Sequence, residues 1–435
     1  LQPATDVQAL ASMLDDLDTS SRSIFVEATD LHSTWCNTAA LKEMGVTIST
    51  EIPGGGILRD QNGEPSGLLQ EAAHLGIVVP HLDNVLTTEK KIAALESAIE
   101  AYIAAGYTGA VDMAMDEHTW EILTLVRAKH QGNLPLHLAV HWLVPWSGNQ
   151  SLDNEYVDGA VALHKRFDRF KSRNFYIAGI KLILDGVVDG CTAALSQPYA
   201  NLTSPVDLVW GFDDMVEIIQ RAEIGELKCA LHAIGDAAIT EAINAISVVG
   251  STQDSAERAG RRHRIEHLEL TTPEDARRLG ALGITASVQP VHSDPVLFQA
   301  WPKLLGTHRC GRAFAYREFL DGGATLAFGT DAPTAAHLPL PNLYHATTRR
   351  STIDPESRET VNENFSVTLV QATVAATMGA AYSTFAETWT GKLAAGMTAN
   401  FAVIDIDSWS ANDLPEARVV QTWYEGQKVF DVTQS

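Results

Sequence analysis

With 435 residues, 45% of them hydrophobic and 20% charged, the chain is long and apolar enough to bury more than one small core. Its 54 acidic against 31 basic residues give a net charge of -23, which repels nucleic-acid phosphates and anionic lipid, so neither is an expected partner. The four cysteines, Cys36, Cys191, Cys229 and Cys310, form no CxxC pair. No apolar run reaches the roughly 18 residues of a membrane span. A disulfide framework and a transmembrane class are thereby set aside, and a reducing, cytoplasmic compartment is the expectation.

The first residue is Leu1 and no signal-peptide pattern follows it, so the chain is expected to start inside something longer or to have been processed. IFVEATD (24–30) reads as a strand, and LHSTWCNTAALKEMGV becomes helix-like after Asn37. PGGGI (53–57) breaks any regular element, and RDQNGEPSG (59–67) is turn-rich. Residues 1–83 therefore read as an inserted or lid segment.

From residue 84 the texture changes. VLTTEKKIAALESAIEAYIAAG carries apolar residues at helical spacing and stops at Gly106. Short apolar runs then alternate with helical stretches, with strand candidates near 110, 139, 179, 230, 265, 286 and 327. That alternation argues for βαβ units and a parallel sheet, which in closed form is a (β/α)8 TIM-type barrel over 84–385. A closed barrel needs one more strand than these seven, expected upstream of Leu1. The tail, 386–435, holds an alternating strand in 391–407 and a hairpin in 419–430 with its turn at Glu425-Gly426, and reads as part of a small β-sandwich.

Four apolar runs end in a polar group: FYIAGIKLILDG in Lys181, KCALHAIGD in His232, RIEHLEL in His267 and TLAFGTDAP in Asp331. In a β/α barrel the active site lies at the C-terminal ends of the strands. Each residue alone has a plainer reading: a hydrogen-bonded histidine, a snorkelling lysine, a capping aspartate. Together, on separate strands, they point to a cation site. By strand alternation Arg264 and Glu266 should point away from the face of His267, and Asp236 reads as a cap or a partner of the site. Asp185, Gln289 and His292 are candidates for substrate binding, as is His32, which with Trp35 and Asn37 sits in the inserted segment. His337 and His345, after the last strand, are weaker candidates.

These stretches, with GGGILRDQNGEPSGLLQE and GKLAAGMTANFAVID, resemble the amidohydrolase superfamily, in particular its YtcJ-like branch (amidohydrolase family 3), which includes N-substituted formamide deformylases. The resemblance covers nearly the whole chain. It implies a metal-dependent hydrolase on a (β/α)8 barrel flanked by a β-sandwich. Lys181, His232, His267 and Asp331 match the family's metal-holding positions. Lys181 is carboxylated in many members, and Asp331 also moves the proton. The family's first strand normally ends in an HxH pair, which occurs nowhere in this sequence.

The implied cofactor is a divalent metal, Zn2+ above others, as one or two ions. A bound divalent metal lowers the pKa of water to about 7 and polarises the carbonyl. Neutral imidazoles and carboxylates suit it, whereas an ammonium cannot ligate, so Lys181 serves only as a carbamate or deprotonated. The reaction expected is hydrolysis of a non-peptide C–N bond, amide or N-formyl, in a small molecule, with Asp331 as proton shuttle. Two alternatives stay open: the same site acting on an ester, lactone or cyclic imide, or a catalytically silent, truncated barrel that binds a ligand. A homodimer is compatible with the sequence and not required by it.

Overall fold

The computed structural model describes residues 9–18, 20–52, 55–252 and 255–434. The chain divides into two compact units, Leu1–Lys91 and Ile92–Ser435. The boundary read from the sequence, 83/84, falls inside a helix, Val79–Val85.

The N-terminal unit is built on four antiparallel strands, β1 (Phe25–Glu27), β2 (Ser33–Cys36), β3 (Ile57–Arg59) and β4 (Pro65–Gln70), in the order β1-β2-β4-β3. Asn37 ends β2 and caps the next helix, Thr38–Glu43. Its Oδ1 accepts from Ala40 N at 2.9 Å and Ile24 N at 3.0 Å, which is why the chain turns helical there. The turn-rich stretch 59–67 is the reversal of a β3–β4 hairpin, where Asp60 Oδ1 accepts from the amides of Asn62 and Glu64. These flanking strands have few β-branched residues, so they carried no strand signal in the sequence.

The second unit holds seven parallel strands: β5 (Gly109–Met115), β6 (His137–Leu143), β7 (Phe175–Ile183), β8 (Lys228–Ala233), β9 (Arg264–His267), β10 (Thr285–Val288) and β11 (Leu326–Phe328). They lie in sequence order across one sheet, at the seven places read from the sequence. Helices 117–129, 150–166, 212–224, 236–249, 273–281 and 316–321 return the chain between them. The sheet is open: β5 and β11 are its two outer strands and do not pair with each other, so the strands do not close into a complete barrel.

Every residue of β8, β9, β10 and β11 is buried, and so is all of β7 up to Leu182. One alternating set, including Ile180, Leu182, Cys229, Leu231, Ile265, Ala286, Val288 and Leu326, belongs to the main apolar core. The other set carries Lys181, Lys228, His232, Arg264, Glu266 and Ser287, and register places these side by side: Lys181 opposite Ala230, His232 opposite Glu266, Glu266 opposite Ser287. The buried polar groups of the sheet are thereby gathered on one face.

The C-terminal strands β12 (Phe401–Asp405), β13 (Arg418–Tyr424) and β14 (Gln427–Asp431) form a separate antiparallel sheet. Glu425 (φ 51°) and Gly426 (φ 75°) make its hairpin turn, both left-handed as a two-residue type I′ turn requires. No described helix is long and apolar enough to cross a membrane.

Candidate active site

A cleft of about 370 Å³ lies along the large sheet, lined by polar-face residues such as Lys181, Glu266 and Ser287 and by core residues such as Ile99, Leu123 and Leu136. Lys181, His267, Gln289 and Asp331 all line it, together with Glu266, Asp112 and Tyr102. Four of these were singled out by sequence. Glu266, Asp112 and Tyr102 were not singled out as site residues.

Lys181 lies near the end of β7 and is 5% exposed. Burial pulls its ammonium below the usual lysine range. Glu266 and Asp331 oppose that shift, and Arg264 adds to it. Glu266 is the next buried charge. Burial raises its carboxyl, but Arg264 and Lys181 outweigh burial and hold it below the ordinary value. Arg264 grips Glu266 through Nε–Oε1 at 2.6 Å and Nη2–Oε2 at 3.1 Å, and donates to Ser287 and Ser383. Alternation counted back from His267 had pointed this pair away from the site. The structure corrects that. His267 has φ 76° and Leu268 φ 55°, so the chain leaves extended geometry at the histidine and alternation stops holding there. Arg264 and Glu266 face the cleft by strand parity, and His267 joins them through its left-handed backbone. Asp331, with φ 57°, is presented the same way. Non-glycine residues in this region cost free energy and gather at functional sites.

The His232 ring lies 4.4 Å, centroid to centroid, from His267. Behind it stands Asp185, 1% exposed, whose Oδ1 is 3.6 Å from His232 Nε2. Asp185 was read as a substrate contact, but its carboxylate is engaged elsewhere. Oδ2 accepts from Gly235 N at 2.8 Å and Ala194 N at 3.0 Å, and Oδ1 from Ile234 N at 3.1 Å. The residue ties the loop after β7 to the loop after β8. Gly235 permits the approach, since a Cβ there would sit 1.9 Å from Ala194 O. Asp236 opens the following helix and accepts from the amide and hydroxyl of Ser196.

His292 stacks on His267 with centroids 6.0 Å apart and planes 8° from parallel. Its Nδ1 is 3.3 Å from Glu269 Oε1 and its Nε2 3.3 Å from Thr334 Oγ1. Burial lowers its pKa, but Glu269 and then Asp331 raise it overall. Gln289 turns a buried Oε1 that has no hydrogen-bond partner among the described residues. Burial pushes the Asp112 carboxyl up to about 6. Glu269 and Thr334 flank His267 and Asp331 in sequence, but only the fold shows that they meet at His292.

The remaining candidates have other partners. His32 belongs to the N-terminal unit, where its Nδ1 is 2.8 Å from Glu71 Oε2. Trp35 Nε1 donates to Leu10 O, and Asn37 serves as the helix cap described above. His345 is fully buried against Thr352 and Asp294, and His337 packs on Tyr102.

The donors fit a divalent cation. The His232 ring lies against His267, and Lys181, of lowered pKa, and Asp331 line the same cleft as His267; Glu269 and His292 also come within 4.8 Å of His267 but are bonded to each other.

A model of the amidohydrolase family matches residues 2–430. The protein LONG AFTER FAR-RED 3 of Arabidopsis thaliana is 28% identical over 441 residues, covering 97% of this chain and 71% of that protein. An N-substituted formamide deformylase of Arthrobacter pascens is 23% identical over 437 residues, covering 97% and 76%. Among solved structures, an uncharacterized metal-dependent hydrolase from Pyrococcus furiosus superposes with a TM-score of 0.65 at 25% identity, covering 88% of this chain and 72% of that one.

Proposed function

The chain belongs to the amidohydrolase family, and from that premise we propose that it is a metal-dependent hydrolase of a non-peptide C–N bond, in an amide or N-formyl compound. The observation that carries the reading is the meeting of Lys181, His267 and Asp331 on one cleft, with the His232 ring against His267. The relative from Arthrobacter pascens, matched along 97% of this chain, supports the choice of bond.

His232, His267, Asp331 and Lys181 would hold the cation. Bound there, a divalent metal, Zn2+ above others, would polarise the scissile carbonyl and make water acidic enough to attack near neutral pH. The chain supplies the rest. Asp185 braces His232 from behind. The buried Lys181 amine, easier to deprotonate than a surface lysine, would serve as a ligand as the free amine, or as a carbamate formed by adding CO2 and releasing a proton. Asp331 takes a proton from the attacking water and passes it to the leaving nitrogen, so water and amide give acid and amine. Gln289, with its amide on the cleft, orients the substrate.

The test is hydrolysis of para-nitroformanilide by chain loaded with Zn2+ or Co2+, beside para-nitrophenyl acetate and succinimide. The proposal expects metal-dependent release of para-nitroaniline that falls about 100-fold or more in Asp331→Asn. Release that survives chelation, or a clear preference for the ester or imide, refutes it.

A further inference from the structure

The loops after β9, β10 and β11 meet in an arrangement that the hydrolytic reading leaves without a role. Thr334 turns back onto Asp331: its amide donates to Asp331 O at 2.9 Å, and its hydroxyl lies on the same carbonyl oxygen and 3.2 Å from Oδ2. The Thr334 hydroxyl also meets His292 Nε2, and His292 Nδ1 meets Glu269, at 3.3 Å each. Asp331 therefore stands at the end of a continuous chain, Glu269–His292–Thr334–Asp331, that starts two residues beyond His267.

Two features give this chain a purpose. Asp331 lies past the end of β11 with a left-handed backbone, so the sheet does not set the direction of its carboxylate. Both nitrogens of His292 are engaged, and the ring is held nearly parallel to His267, so neither nitrogen is left to bind substrate. We propose that Glu269, His292 and Thr334 form a bracket that holds the Asp331 turn, and with it the carboxylate, on the cleft. Glu269 and His292 are then positioning residues for the proton transfer, and His292 is not the substrate contact its sequence position suggested. The proposal rests on the reading that Asp331 carries the proton.

The experiment uses the Co2+-loaded chain and para-nitroformanilide. Thr334→Val and Glu269→Gln are expected to lower kcat about 10- to 100-fold, with KM and bound cobalt per chain unchanged. Thr334→Ser, which keeps the hydroxyl, recovers most of the loss. The double variant is no worse than the poorer single one, because both break one chain. Full kcat in Thr334→Val and Glu269→Gln overturns the bracket. Loss of cobalt in His292→Gln also overturns it, because His292 would then be a ligand. If wild type hydrolyses nothing, the hydrolytic reading fails by itself. The bracket is then read from the ring N–H proton resonances of His292, identified by their loss in His292→Gln. They are expected to persist in Thr334→Ser and to shift in Glu269→Gln and Thr334→Val; no shift in the last two refutes the bracket.

Discussion

Replacing Asp185 with asparagine removes a charge and one acceptor while keeping the shape. The carboxylate is 1% exposed and accepts from three backbone amides between 2.8 and 3.1 Å. An asparagine must aim its NH2 at either the Ala194 and Gly235 amides or the Ile234 amide and His232. The milder choice still sets one donor against another and weakens the two remaining bonds by removing their charge. A hydrogen bond to a charged group contributes about 1.5–3 kcal/mol, and a buried donor left unpaired costs about 1–3 kcal/mol. Asp185→Asn should therefore cost about 3 kcal/mol, which lowers Tm by about 4 °C in a unit of several hundred residues. Differential scanning calorimetry of the metal-free chain measures this without interference from ligation. Asp236→Asn, whose carboxylate bonds an exposed Ser196, is the control and should cost less than about 1 kcal/mol. If Asp185→Asn melts with wild type, the carboxylate does not tie the two loops together, and its assignment as a brace fails.

Gly235→Ala should destabilise by about 2–4 kcal/mol and reduce soluble yield, because its Cβ would press to 1.9 Å from the Ala194 carbonyl oxygen, which backbone cannot yield cheaply. Acid should destabilise the chain through His137, whose pKa burial lowers from 6.5 to about 4. The unfolded chain binds that proton first, so stability rises with pH between about 4 and 6.5 and is level above. At pH 4 this residue alone costs about 3 kcal/mol, and His137→Gln should flatten the slope in a pH series of denaturant midpoints. Lys181→Arg should abolish hydrolysis although it keeps the charge, because a guanidinium neither deprotonates nor carboxylates; retained turnover in a coupled formate assay would contradict the role given to Lys181.

The sequence made the large sheet legible because its strands are buried on both faces and read as unbroken apolar runs between helical stretches. Lys181, His232, His267 and Asp331 stood out because each interrupts or ends such a run. The orientation of Arg264 and Glu266 was not legible. It depends on φ at His267, and nothing in RIEHLEL marks where the extended chain stops. Glu269 and Thr334 were invisible for a different reason: their partner His292 lies on a third loop, and only the packing of β9, β10 and β11 joins them. The strand β2 and the β3–β4 hairpin escaped because glycine, proline and polar residues fill much of this region, leaving a turn signal without strand periodicity. Asp185 was seen as a polar residue near a site, but its three amide partners come from two other stretches of chain.

The measurement closest to the heart of this account is the number of divalent ions retained per chain after dialysis, by atomic emission, in wild type, His232→Ala and His267→Ala. One or two ions in wild type, with a loss in each variant, is the predicted result. Equal metal in all three, or none in wild type after loading with Zn2+, would mean that the residues gathered at these strand ends do not hold a cation.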